Sequence, residues 1–247
     1  MEACFLMVLV IAEGGVNHQG NLSTAISLTR AAKDAGADII KWQAFTPWRL
    51  TTDHARQAVL KGLALTKEEL IILAAEARAL GIEPVVTPMD EQWLEFCVRE
   101  LGVKRVKIGS AQAGNAAFVY TVGTYGLPVL ISNGMAPPSV FAQAVNEWLY
   151  EVDDVTVMSC VSRYPTPDAD VSMERLRVLK DDFPDRRVGF SSHCRSFWPS
   201  VAAVYAGAAA VEAHLMLPGC TSPDAGSSLL PEEFGAMVRE VRYAGRG

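Results

Sequence analysis

The sequence predicts an α/β fold of the (β/α)8 TIM-barrel type, built by residues 1–247 as a single domain. Three observations carry that prediction. Short runs rich in Val and Ile recur at Met7–Glu13, Ile39–Gln43, Pro84–Thr87, Arg105–Ile108, Pro128–Ser132, Val155–Ser159, Arg187–Ser191 and Ala210–His214. The stretches between them have helical spacing and helical punctuation, and strand–helix alternation implies a parallel sheet. The chain has 247 residues, half of them apolar, which is enough for eight such units around a large core.

Each element has its own signal. The first run is a buried strand, and Leu22, Ala25, Ile26 and Thr29 then repeat at helical intervals, with Asn21 placed to cap and Gly36 to stop. After the second strand, Ala44 to Thr66 is the longest stretch without clear periodicity, and in a barrel it reads as a long loop over the active face. Thr66-Lys67-Glu68-Glu69 is a capping box that opens a helix ending near Gly81. Pro231 with Glu232 and Glu233 starts the last helix. A doubly wound open sheet would normally carry a glycine-rich phosphate turn after the first strand. Gly14-Gly15-Val16-Asn17-His18-Gln19-Gly20 does not match GxGxxG. Linkers, repeats and low-complexity tracts are absent.

Composition narrows the function. A net charge of −6 argues against a nucleic-acid partner, because phosphate backbones select basic faces. No apolar run approaches the roughly 20 residues of a spanning helix. The longest, Ala3 to Ala12, lacks the basic start and cleavage pattern of a signal peptide, so no membrane role and a cytoplasmic location are expected. The five cysteines, Cys4, Cys97, Cys160, Cys194 and Cys220, form no CxxC pair and read as reduced thiols.

In a barrel the chemistry sits at the C-terminal ends of the strands. Those ends carry Glu13, Asn17 and His18; Lys41 and Gln43; Thr87; Lys107 and Ser110; Ser132; Ser159 through Ser162; Ser191 and His193; Glu212 and His214. Taken singly, a lysine there is more often solvated and a histidine more often structural. Together they bring ionisable or hydrogen-bonding groups from every strand to one mouth. Lysines and hydroxyls suit a phosphate or carboxylate, and two histidines on adjacent strand ends suit one divalent metal. An unpaired buried lysine is costly, so Lys41 and Lys107 are expected to be positive charges awaiting an anion.

The segment Ile11-Ala12-Glu13-Gly14-Gly15-Val16-Asn17-His18-Gln19-Gly20 resembles the opening motif of the N-acetylneuraminate (sialic acid) synthase family. Further matches follow in order at Gly36–Gln43, Thr87–Asp90, Val106–Ser110, Leu130–Ala136, Ser162–Pro165, Gly189–His193, Glu212–His214 and Pro223-Asp224. The resemblance implies a barrel enzyme, a transferase that condenses phosphoenolpyruvate with an aldose to a 2-keto-3-deoxy sugar acid and releases phosphate. It implies that Lys41, Thr87, Lys107, Ser110, Ser132, Ser162 and Ser191 hold phosphoenolpyruvate. Glu13, Gln43, Tyr164 and Asp224 would face the acceptor, and His193 and His214 would bind Mn²⁺ or Mg²⁺, which polarises the aldehyde oxygen. It also leaves room for a homodimer.

The sequence departs from that family in several places. Ser110-Ala111-Gln112 stands where Ser-Gly-Glu is usual, so Gln112 replaces a carboxylate expected near the reacting carbons and cannot exchange a proton at neutral pH. Ser159, Ser192, Ala213 and Ala225 replace a His, an Asp, a Lys and a bulkier residue. The chain stops at Gly247, and the small C-terminal antifreeze-like domain of the bacterial enzymes is expected to be absent. The alternatives are a metal-dependent aldolase at the same site, or a catalytically altered relative that binds an anion or a sugar.

Overall fold

The computed structural model describes residues 7–246. Cys4, the start of the Ala3–Ala12 run and the chain end at Gly247 lie outside the described residues. Eight parallel strands follow one another around a closed sheet: β1 (Leu9–Gly15), β2 (Ile39–Ala44), β3 (Glu83–Pro88), β4 (Val106–Ile108), β5 (Val129–Ser132), β6 (Val155–Cys160), β7 (Arg187–Ser192) and β8 (Ala210–Leu215). β8 pairs back onto β1, with Leu9 opposite Ala210 and Glu13 opposite His214, and that pairing closes the barrel. A two-residue strand, β9 (Ser228–Leu229), adds to the mouth end of β8.

The helices are α1 (Leu22–Asp34), α2 (Pro47–Leu50), α3 (His54–Leu63), α4 (Lys67–Ala79), α5 (Glu91–Arg99), α6 (Ala116–Gly123), α7 (Pro138–Gln143), α8 (Met173–Asp182), α9 (Trp198–Tyr205) and α10 (Pro231–Ala244). Asn21 caps α1 by accepting from the Thr24 amide at 3.0 Å. Thr66 and Glu69 close the capping box on α4 in both directions. Among the described residues, no helix is long and apolar enough to cross a membrane.

One expectation needs correction. The stretch between β2 and α4 is not an extended loop: it holds α2, with Pro47 in its first turn, and α3, where the Asp53 carboxylate accepts from the amides of Ala55 and Arg56. No residue of α3 is buried, so the apolar periodicity that usually betrays a helix is missing. Pro47 and Asp53 were the available signals.

The alternation of the strands sorts side chains into two populations. Outward residues pack against the helices in one continuous core that includes Val10, Ile40, Val86, Phe96, Phe118, Val157 and Phe234. Inward residues Ile11, Ile39, Val85, Leu130, Met158 and Ala210 form a separate apolar plug inside the barrel. Gly189 belongs to this layer, because a Cβ there would come within 2.4 Å of the Met158 sulfur. Two residues further along several strands, the inward positions become Glu13, Lys41, Thr87, Ser132 and Glu212. The plug thus forms the floor of the polar mouth.

At the end of β1 the chain passes through a register break between Glu13 and Gly15, a bulge that re-aims the residues after it. Gly14 is obligatory here, since a Cβ would lie 2.2 Å from the ring of buried Trp42. His18 packs edge-on against Trp42, and its Nδ1 accepts from the Gly20 amide at 3.1 Å. Burial lowers the His18 pKa to about 4, although Glu69, Gly15 and Asp224 pull the other way. The unfolded chain protonates His18 near 6.5, so the stability this residue contributes is present above pH 6.5 and lost as pH falls towards 4. From pH 7.5 to 5 the loss should be about 2 kcal/mol. Chemical denaturation at both pH values should show His18→Asn flattening the profile by that amount; an unchanged slope would refute the assignment.

Candidate active site

The C-terminal mouth holds a cavity of about 340 Å³. Its wall includes Glu13, Lys41, Gln43, Thr87, Lys107, Ser110, Ser132, Ser162, Tyr164, Ser191, His193, His214 and Asp224, so all but one of the expected site residues converge there. The exception is Gln112, which is absent from the cavity wall. Its amide is engaged elsewhere, donating to the Met89 carbonyl at 2.8 Å. The structure adds Glu212, a buried carboxylate noted at a strand end but not counted among the site residues.

Strand register explains the neighbours. Glu13 sits opposite both Lys41 and His214, Gln43 opposite Thr87, and Ser191 opposite Glu212. At the base of the cavity these side chains form one connected network. Gln43 donates to Glu13 Oε1 at 2.9 Å, and Glu13 Oε2 lies 2.6 Å from the Lys41 ammonium. Lys41 also donates to Thr87 at 3.0 Å and stands 3.8 Å from Glu212 Oε2. That same oxygen accepts from Lys107 at 3.1 Å, while Lys107 donates to Ser132 at 2.8 Å. Ser191 donates to Glu212 Oε1 at 2.9 Å.

The lysines are therefore not unpaired charges, as the sequence had suggested. Each is buried and faces a buried glutamate. Burial alone would lower the Lys41 pKa, but the Glu13 and Glu212 carboxylates hold it above the ordinary lysine value. Burial would likewise raise Glu212; Lys107 and Lys41 instead hold it well below the usual carboxylate range. Both groups stay ionised at neutral pH.

A second part of the lining is aromatic. The His193 and His214 rings are 5.4 Å apart, and Tyr164 stacks tilted on His193 at 4.0 Å. Burial, then His214, lowers the His193 pKa to about 3, so its imidazole is uncharged. With Nδ1 donating to the Val161 carbonyl at 2.8 Å, His193 Nε2 is left as an acceptor for the Tyr164 hydroxyl at 2.6 Å. His214 Nδ1 is buried with no hydrogen-bond partner, 3.5 Å from Asp224 Oδ2. A buried nitrogen without a partner, beside a carboxylate and the uncharged His193 imidazole, fits a divalent cation. Among the described residues, no cluster of three or more His, Cys, Asp or Glu is arranged as a ready-made metal cage. Water and ligand would have to complete any coordination.

The outer rim is set by Ser110 and Ser162, whose hydroxyls are 3.0 Å apart. Cys160 also lines the cavity, but burial pushes its thiol pKa up, so it is not a thiolate nucleophile. The four cysteines among the described residues are all free.

Residues 28–246 match the NeuB family. The chain is 34% identical over 259 residues to N,N'-diacetyllegionaminic acid synthase of Legionella pneumophila, covering 95% of this chain and 71% of that protein. It is 32% identical to pseudaminic acid synthase of Campylobacter jejuni, covering 96% and 74% of the two chains. A solved structure, the N-acetylneuraminic acid (sialic acid) synthetase of Leptospira borgpetersenii, superposes with a TM-score of 0.93 at 28% identity, covering 97% of this chain and 84% of the other. The chain belongs to the NeuB family, the family of these sugar-acid synthases.

Proposed function

We propose that this chain condenses phosphoenolpyruvate with an aldose to give a 2-keto-3-deoxy sugar acid and inorganic phosphate. The observation that carries the reading is one cavity whose lining includes two buried lysines, a set of hydroxyls and two histidines. In this reading Lys41, Thr87, Lys107, Ser110, Ser132, Ser162 and Ser191 take the carboxylate and phosphate of phosphoenolpyruvate. The ammonium groups are already fixed by Glu13 and Glu212, so their side-chain entropy is lost before a ligand arrives. Glu13, Gln43, Tyr164 and Asp224 face the acceptor, with Glu13 orienting the Gln43 amide.

A carbon–carbon bond forms between C3 of phosphoenolpyruvate and the aldehyde carbon, water adds at C2, and phosphate leaves. Holding both reactants in one cavity makes positioning the main contribution of the protein. His214, and His193 once its Nε2 releases the Tyr164 hydroxyl, are the residues that would hold Mn²⁺ or Mg²⁺, and such an ion supplies Lewis acidity for the aldehyde oxygen. Gln112 donates its amide to the carbonyl of Met89, a residue of the cavity lining, and is given no proton-transfer role in this reading. The metal-dependent aldolase alternative has no observation that favours it over condensation.

Incubation with phosphoenolpyruvate, Mn²⁺ and a panel of aldoses should release phosphate and yield a 2-keto-3-deoxy acid with at least one of them. Phosphate release with none would refute the synthase reading.

Phosphoenolpyruvate should raise the melting temperature, corresponding to about 2.7 kcal/mol at a hundredfold excess over its dissociation constant. Because Glu13, Glu212 and Asp224 outnumber Lys41 and Lys107, the shift should be larger with Mn²⁺ than without it. Lys41→Ala and Lys107→Ala should show much less of it. No shift in the wild type at millimolar ligand with metal present would refute phosphoenolpyruvate as a ligand.

Calorimetry should detect one Mn²⁺ per chain, readily stripped by a chelator because two imidazole ligands bind modestly. His193→Ala should abolish that binding; wild-type affinity in the variant would remove His193 from the metal site.

A further inference from the structure

Asn17 follows the bulge of β1 and is almost fully buried, yet its amide points away from its own strand. The hydrogen bonds of that amide go to the last residue of β8 and to the segment after it, including a 3.7 Å contact from the Cys220 thiol to Oδ1. Nδ2 donates to the Leu215 carbonyl at 2.8 Å and to the Ser228 hydroxyl at 2.9 Å. Oδ1 accepts from the Ser222 hydroxyl.

The two hydroxyls then hold the backbone of one residue. Ser222 accepts from the Asp224 amide at 3.2 Å, and Ser228 donates to the Asp224 carbonyl at 2.7 Å. Donors and acceptors alternate consistently around the network, so each group is satisfied. The side chain of Asp224 is thereby aimed at the cavity. Its Oδ2 accepts from the Val16 amide at 3.4 Å and lies 3.5 Å from His214 Nδ1.

Two features of the β1 loop support the same arrangement. Gly15 has φ +49°, and a Cβ there would stand 2.6 Å from Asp224 Oδ2, so the loop makes room for this carboxylate. Gln19 holds the left-handed conformation at φ 54° although it is not glycine. Its Oε1 accepts from the Thr221 amide at 3.3 Å and the Thr221 hydroxyl at 2.8 Å, a second latch onto the same segment.

We infer that Asn17 is a positioning residue: through Ser222 and Ser228 it sets the Asp224 carboxylate beside His214 and so tunes the cation-binding side of the cavity. The inference rests on the proposed role of His214 and Asp224 at that side. None of the latch hydrogen bonds reaches Lys41 or Lys107.

The test joins amide hydrogen exchange with titration of Mn²⁺ alone. The Ala225 and Ser227 amides donate to the carbonyls of Ser222 and Asp224. Losing one buried amide's partners should speed their exchange by about tenfold in Asn17→Ala, with amides of β3 to β6 unchanged. Mn²⁺ affinity should fall by about tenfold in Asn17→Ala and in Asp224→Asn, and no further in the double variant. At saturating Mn²⁺ the phosphoenolpyruvate thermal shift should persist.

Wild-type exchange at Ala225 and Ser227, or faster exchange spread over the whole barrel, would overturn the inference. So would additive losses in the double variant. Failure of the wild type to take up Mn²⁺ would instead overturn the functional reading and leave the exchange rates to decide on the latch. If Asn17→Ala does not fold, Ser228→Ala cuts one arm of the network and carries the same measurements.

Discussion

Two ammonium groups and two carboxylates share one layer of the barrel, directly above an apolar plug. Taking any one of them out of water alone would cost several kcal/mol. Together they cancel, with Glu212 reaching both lysines and Glu13 holding Lys41 from the other side. The register of four strands is tied to this arrangement. A slip of one residue in β1, β2, β4 or β8 would turn a charge outward into the apolar layer beneath the helices and leave its partner buried and uncompensated.

The same network governs what the cavity can do. The lysines are held charged and oriented in the ligand-free chain, so an entering anion meets fixed positive groups rather than flexible ones. The carboxylates that fix them also limit how much negative charge the cavity tolerates. That balance sets the lysine wall against the histidine wall. One offers charge already neutralised by its neighbours, and the other offers the uncharged His193 imidazole and a buried His214 nitrogen without a partner. A site with those two walls is suited to joining an anion to a polarisable carbonyl.

The loops contribute differently from the strands. The β1 loop is bent by a bulge and two glycines, and it carries a buried asparagine whose partners are all about two hundred residues further along the chain. Closure of the barrel makes this possible, because β1 and β8 are far apart in sequence and adjacent in space. The loop after β2 was the least legible part of the chain. Helix α3 buries nothing, so only its cap and a proline mark it.

The sequence by itself determined the eight barrel strands and their order, the main helix caps and the end of the barrel at which polar groups gather. Those are local properties, set by two-residue alternation, capping chemistry and glycine placement. The tertiary structure decided which charge meets which. Lys107 and Glu212 are 105 residues apart in the chain, and no local pattern foretells that they share a hydrogen bond. It also decided that Gln112, beside the site in sequence, turns its amide to the Met89 carbonyl, and that Glu212 stands at the centre. Such pairings depend on the closure and register of the whole barrel, which exist only once all eight strands are in place.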